Sequence, residues 1–185
     1  MPFLYLILKV LTNIARCVSI DWTLRKRKPM KRKYAIRTIE DMKKDIEIDV
    51  QIKNSFVESA EYGPWDIFLI DKKAMLMQIK KNDDNKVFPT LRGLLEWSVQ
   101  NRWIEVDFGA IPFLMNGADC MVAGIQSADA EIIEGDLVWI RDETHKKPLA
   151  IGWAILDGPE MVTQSNGKGV ETVHWIGDSL WEIES

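Results

Sequence analysis

Cysteine and histidine are nearly missing from this 185-residue chain, which has two of each. Cys17 and Cys120 are too few for a disulfide framework and lack the spacing of metal ligands, so the sequence implies two reduced thiols and no metal. No nucleophile has a base at a recognisable spacing, and no Gly-rich loop suited to phosphate is present. His145 stands in a polar stretch and His174 in an apolar one, where a satisfied structural histidine is expected. No catalytic residue and no cofactor is therefore assigned. Long uninterrupted apolar runs are lacking as well. The opening MPFLYLILKVLTNIARCVSIDW is broken by Lys9 and Arg16, which are expensive in a bilayer. It has neither a basic start nor a small-residue cleavage site. Leu4, Leu6, Ile7, Val10, Leu11 and Ile14 fall at helical spacing, which predicts a helix packed on this chain or on a second copy, with no membrane partner. Met30 offers an alternative start.

The chain is 46% hydrophobic, as expected of a globular protein, and contains eight tryptophans. Its net charge of −4 conceals an uneven distribution. Residues 1–50 carry 12 Lys/Arg and 6 Asp/Glu, residues 51–100 carry 7 of each, and residues 101–185 carry 5 against 15. The last part, at −10, repels phosphate on average, so any nucleic acid must be met there by local patches. The run RKRKPMKRK, Arg25–Lys33, has seven cations and no acid. It fits a solvated linker or a phosphate-contacting arm, and Pro29 interrupts helix propagation within it.

Hydrophobic periodicity divides the remainder into two units. Thr38 opens an amphipathic stretch with Ile39, Met42 and Ile46 on one face, and Asp41 gives a weak capping signal. SFVESAEYG, WDIFLID and AMLMQIK have strand texture, with Asp71-Lys72-Lys73 as a hairpin loop and KNDDNK as a polar loop. PTLRGLLEW carries an apolar helical face of Leu91, Leu94, Leu95 and Trp97. The expected fold is α+β, with residues 1–30 as helix and basic linker, 31–98 as a small α+β domain, and 99–185 as a mostly β domain. In the last, WIEVD, DCMVAGI, DLVWIRD, PLAIGWAIL, ETVHWIG and SLWEIE read as six short strands of a small, nearly closed barrel, with turns at Gly135-Asp136 and Gly177-Asp178.

Between the first two of these strands, VDFGAIPFLMNGADCMVAGI holds Gly-Ala twice. Asp107 can cap a short helix starting at Gly109 or Ala110, Pro112 fits its first turn, and Asn116-Gly117 ends it. The small residues either expose N–H groups to an anion such as phosphate, or let the helix plug one end of the barrel.

From Phe108 onward the chain resembles the PUA domain, a small RNA-binding pseudobarrel. VDFGAIPFLMNGADCMVAGI resembles its strand, helix and second strand, IEGDLVWI its Gly-Asp turn and third strand, and PLAIGWAIL its fourth. The tail from His174-Trp175 through Gly177, Asp178, Leu180 and Trp181, with FPTLRGLL before the domain, resembles the malignant T-cell amplified sequence proteins and their archaeal relatives, translation factors of the small ribosomal subunit. One departure is Ala123, where the family usually has Pro before the equivalent of Gly124. The resemblance implies a non-enzymatic, cytoplasmic, ribosome-associated RNA-binding protein of translation initiation. It would dock on a tRNA or small-subunit rRNA, with a translation-factor protein as a further partner. By position it implies Gly109, Ala110, Gly117, Ala118 and Met121 as backbone and shape contacts. Arg92, Arg102, Lys146, Lys147 and Lys168 are the scarce cations available for phosphates. The alternatives are a protein-interaction adaptor and an accessory subunit or enzyme of RNA modification.

Overall fold

The computed structural model describes residues 23–50, 52, 54–81 and 84–183. The apolar stretch expected to form an N-terminal helix, and Cys17 within it, lie outside the described residues. Two sheets are present, and each follows from the alternation of its strands.

The first sheet is a five-stranded antiparallel meander of β1 (Leu24–Pro29), β2 (Val57–Tyr62), β3 (Trp65–Ile70), β4 (Lys73–Lys81) and β5 (Asp84–Pro89), in sequence order. Helix α1 (Arg32–Asp45) follows β1 and buries Ala35, Ile39 and Met42. The β3–β4 hairpin turns through Asp71 and Lys72 at φ 48° and 72°. Positive φ at both positions is what a tight two-residue hairpin requires.

Four expectations for this unit need correction. The basic run is not a linker, because its first half is strand β1, paired with β2 from Leu24↔Tyr62 to Pro29↔Glu58. Cross-strand acids make this possible: Glu58 takes Arg27 through two hydrogen bonds, of 2.8 and 2.6 Å, and Glu61 takes Lys26 at 3.0 Å. The second half of the run starts α1, well before Thr38. Thr38 is internal to that helix and bonds back to the Tyr34 carbonyl at 3.1 Å, while Asp41 pairs with Lys44. The polar loop is mostly strand, since β4 and β5 pair as far out as Lys81↔Asp84. In α2 (Leu91–Glu96), capped by Thr90, Leu91 and Leu94 are buried but Leu95 is exposed.

The second sheet comprises β6 (Trp103–Val106), β7 (Cys120–Met121), β8 (Ile125–Ala128), β9 (Leu137–Asp142), β10 (Pro148–Ala154) and β11 (Lys168–Trp175). Its order is β7-β11-β10-β9-β6-β8, antiparallel except for the parallel pair β6 and β9. DCMVAGI is therefore two strands and not one. A 3-10 turn at Val122–Gly124 breaks it, so that the two edges of the sheet, β7 and β8, are joined by three residues and the sheet curls into a pseudobarrel. SLWEIE is not a strand. The Asp178 carboxylate accepts the N–H groups of Trp175 (3.1 Å) and Trp181 (2.7 Å) and a contact from buried His174 (2.7 Å), which folds the tail into turns. His174 is thus a satisfied core group.

Alternation along β9 and β10 joins the two units. Val138, Ile140, Ala150 and Ala154 line the barrel interior with Ile104, Val106 and Val170. Leu137, Trp139, Ile151 and Trp153 point the other way, into a core shared with Ile67, Met77, Phe88 and Leu91 of the first unit. The tail fastens this junction. Leu180 is buried in the shared core, Tyr62 Oη meets Ser179 Oγ at 2.5 Å, and Arg92 donates to the Trp181 carbonyl at 2.6 Å. Among the described residues no helix is long and apolar enough to cross a membrane.

Candidate RNA interface

The segment between β6 and β7 builds the site. Helix α3 (Ile111–Leu114) has Pro112 in its first turn and drops Leu114 into the barrel interior. Ala110 N–H donates to Asp107 Oδ1 at 2.9 Å, and Gln126 reaches the other carboxylate oxygen at 3.4 Å. The Asp107 carboxylate thus already sits against the residue that starts the helix. A phosphate there would meet Asp107, so the anion-site reading of the small residues gives way to packing.

That packing is specific. Gly117 has φ +75°, and a Cβ on it would lie 2.6 Å from the Trp175 ring. A Cβ on Gly124 would lie 2.9 Å from that of Ala110, which brings the turn after β7 against the start of α3. Gly109 is exposed without a left-handed φ, and its nearest obstacle is Asp107 Oδ1 at 3.2 Å. Ala118 is held at both polar ends, its N–H on the Phe113 carbonyl at 3.0 Å and its carbonyl on Thr172 Oγ1 at 2.9 Å.

What these anchors present is apolar. Phe108 is 82% exposed, Phe113 68%, Met121 50% and Met115 45%. Of these only Met121 was singled out from sequence. The phenylalanines carried a readable signal, since they flank the Gly-Ala and Pro of a short helix too small to bury them.

The five cations of residues 101–185 behave differently. Arg102 pairs with Asp136 and Lys168 with Asp119. Lys146 and Arg141 both hold Glu105, at 2.6 and 2.7 Å, and the Arg141 guanidinium also lies 4.3 Å from the centre of the Trp103 ring. Burial disfavours the charged form of Glu105, but these two cations outweigh it and hold its carboxyl below the ordinary range. In the β9–β10 turn, burial likewise opposes ionisation of Asp142. Backbone N–H groups of His145 (2.5 Å) and Lys147 (2.9 Å) overcome it and lower its pKa. Lys147 alone of the five has no acid on its side chain among the described residues. Arg92 lies apart, at the junction, with its guanidinium 5.0 Å from the centre of the Trp181 ring. The fold gathers Gly109, Ala110, Gly117, Ala118, Met121 and Lys168 around α3 and β7. It sets Lys146 and Lys147 at the nearby β9–β10 turn, where Glu143 N–H bonds to the Val106 carbonyl. Arg102 stands at the far end of β6 and Arg92 outside the group.

Cys120 lies beneath the site. Burial, with Asp107 and Asp119 nearby, pushes its thiol up to about 12. A thiol so strongly disfavoured as thiolate is packing material and not a nucleophile. No group of His, Cys, Asp and Glu suited to a metal ion occurs among the described residues.

Comparison with known proteins agrees with this architecture. The PUA domain family model matches residues 102–176. The uncharacterized protein MJ1432 of Methanocaldococcus jannaschii is 36% identical over 154 residues, covering 80% of this chain and 93% of that one. Translation machinery-associated protein 20 of Schizosaccharomyces pombe is 33% identical over 135 residues, covering 62% of this chain and 75% of the relative. The solved structure of a conserved PUA domain protein from Thermoplasma acidophilum superposes with a TM-score of 0.71 at 26% identity, over 84% of this chain and 97% of that one. With its pseudobarrel, its preceding α+β sheet and these relatives, the chain belongs to the PUA-domain family that includes the translation machinery-associated and malignant T-cell-amplified sequence proteins.

Proposed function

We propose that the chain is a non-enzymatic RNA-binding protein of translation. It docks on structured RNA, a tRNA or small-subunit rRNA, through the α3–β7 tip of the unit spanning residues 99–185. The first unit, which begins with β1 at Leu24 and runs to about residue 98, is its structural companion. The observation that carries this reading is the exposed apolar tip of Phe108, Phe113, Met115 and Met121 on a rigid support. Large solvent-facing apolar groups on an otherwise acidic surface mark an interaction site. Aromatic rings suit unpaired bases at RNA loops and ends, whereas helical RNA is recognised by shape and backbone. The names of the translation-associated relatives point to the same process and to a cytoplasmic setting. Lys147 and Lys168 stand closest to the role of phosphate contacts, with Lys168 shared with Asp119. Arg92, Arg102 and Lys146 act first on the fold.

The same exposed tip favours a second reading, a protein-interaction adaptor that engages a translation factor. Titration of the full chain against a folded tRNA and an unstructured RNA of equal length, at several salt concentrations, separates the two. Preference for the folded RNA supports the proposal. Equal binding of both removes shape recognition by the tip, and binding of neither leaves the adaptor.

A further inference from the structure

The first unit has a feature that the tip does not use. A groove of about 380 Å³ opens between β1, the start of α1 and one face of the sheet. The register Lys28↔Ser59↔Phe68 and the pair Asp66↔Gln78 put these side chains on that face, so the floor combines an aromatic ring with hydrogen-bonding groups. Lys26 has φ 49° at an irregularity in β1, which turns Arg27 to Glu58 and leaves Lys26 and Lys28 along the groove wall. Lys31 and Tyr34 complete the rim, and Tyr34 is 59% exposed.

The charges of this wall are only partly used by the fold. Glu58 absorbs Arg27 and Glu61 absorbs Lys26. Lys28 and Lys31 have no acid partner among the described residues, against Asp66 on the floor. Unpaired cations along one wall, an exposed ring at the rim and a polar floor form the combination that tracks a single nucleic-acid strand, because phosphates follow the cations while bases stack. The groove has room for about one nucleotide and none for a duplex.

We propose that this groove binds a single-stranded RNA segment, with phosphates on Lys28 and Lys31 and a base against Tyr34. It would extend the contact made by the barrel tip and so rests on the RNA-binding reading above. The basic run then acts as a fixed wall of a site and not as a loose arm.

The test uses the full chain, a fluorescent uridine decamer and a folded stem-loop. Lys28→Glu with Lys31→Glu is expected to weaken decamer binding by about tenfold or more. Losing two phosphate contacts should lower the salt slope by about 1.4, at roughly 0.7 per contact on a single strand. Tyr34→Ala should weaken the decamer several-fold and leave the slope unchanged, because stacking releases no counterions. All three side chains are exposed, and an unchanged circular dichroism spectrum checks that the variants fold. A second variant, Phe108→Ser with Phe113→Ser, should weaken the stem-loop more than the decamer and leave the decamer's salt slope unchanged, because the rings release no counterions. Unchanged decamer affinity and slope in the lysine variant would overturn the groove. If the stem-loop still responded to the phenylalanine changes, the barrel reading would stand without it. The opposite pattern, a decamer sensitive to the lysines and a stem-loop indifferent to the phenylalanines, would keep the groove and remove the tip. A glutamate decamer that bound in place of the RNA would overturn the proposal in favour of an acidic protein segment.

Discussion

The two units handle charge in opposite ways. In the barrel, four of five cations face a carboxylate: Arg102 on Asp136, Arg141 and Lys146 on Glu105, and Lys168 on Asp119. These pairs tie strands and turns together and leave a surface whose net charge repels phosphate. In the first unit the cross-strand acids hold Arg27 and Lys26, while Lys28 and Lys31 reach the rim of a groove without an acid partner among the described residues. The asymmetry seen along the sequence is therefore also a division of labour in space. On the proposed reading, a barrel at −10 does not attract RNA through its average field, so shape and apolar contact would carry recognition there and electrostatic attraction would fall to the first sheet.

The strongest way to break this contrast is through the support of the tip. Gly117→Val puts a side chain on a φ of +75° and into the Trp175 ring. Left-handed strain and overpacking together should cost about 3 kcal/mol of barrel stability in urea denaturation. An unchanged midpoint would show that the tip is not rigidly held. Next comes the tip itself. Phe108→Ser with Phe113→Ser should reduce affinity for a folded RNA by about thirtyfold, at roughly 1 kcal/mol for each of two base contacts, while the melting temperature barely moves. Both rings are mostly in solvent, at 82% and 68% exposure.

Acid should erode the barrel's own pairing. The pKa values of Glu105 and Asp142 are depressed from ordinary values of 4.5 and 3.8. Depressed carboxyl groups contribute stability that is fully present above those ordinary values and is lost as pH falls through the lower folded-state ones. Thermal melts should therefore be flat between pH 7 and 5 and decline below about pH 4.5. A decline already complete by pH 5 would contradict the pairing. The smallest effect belongs to Lys146→Ala. Glu105 keeps Arg141, and Lys146 is half exposed, so the loss should stay under about 1 kcal/mol.

Much of this was legible in the sequence where one residue type forces one geometry. The Gly135 and Gly177 turns have φ of 88° and 96°, the Asp71-Lys72 turn is left-handed at both residues, and Asp107 accepts the Ala110 N–H just before α3. Strand β10 was legible too, though not the destination of its large residues, since Ile151 and Trp153 pack on the other unit. What stayed hidden depends on partners outside the segment itself. RKRKPM reads as a linker until Glu58 and Glu61 supply the opposing acids, and SLWEIE reads as a strand until Asp178 gathers three donors behind it. Helix α4 (Gly158–Thr163), which buries Met161 against the barrel, was missed although Asp157-Gly-Pro-Glu160 spells a helix start, with Pro in the first turn and the Glu160 side chain accepting the Asp157 N–H at 3.3 Å. For the site, the small residues were visible but their role was not, because whether the helix start is free or already met by a carboxylate is a question of geometry.

The most direct measurement is photo-crosslinking of the full chain to a folded RNA with an unpaired end, followed by mass-spectrometric mapping of the attached residues. Crosslinks at Phe108, Phe113 and Met121, with a second set at Tyr34, are the expected result. Crosslinks confined to surfaces away from α3 and β7, such as α4 or the edge formed by β5, would contradict the assignment of the tip as the RNA interface.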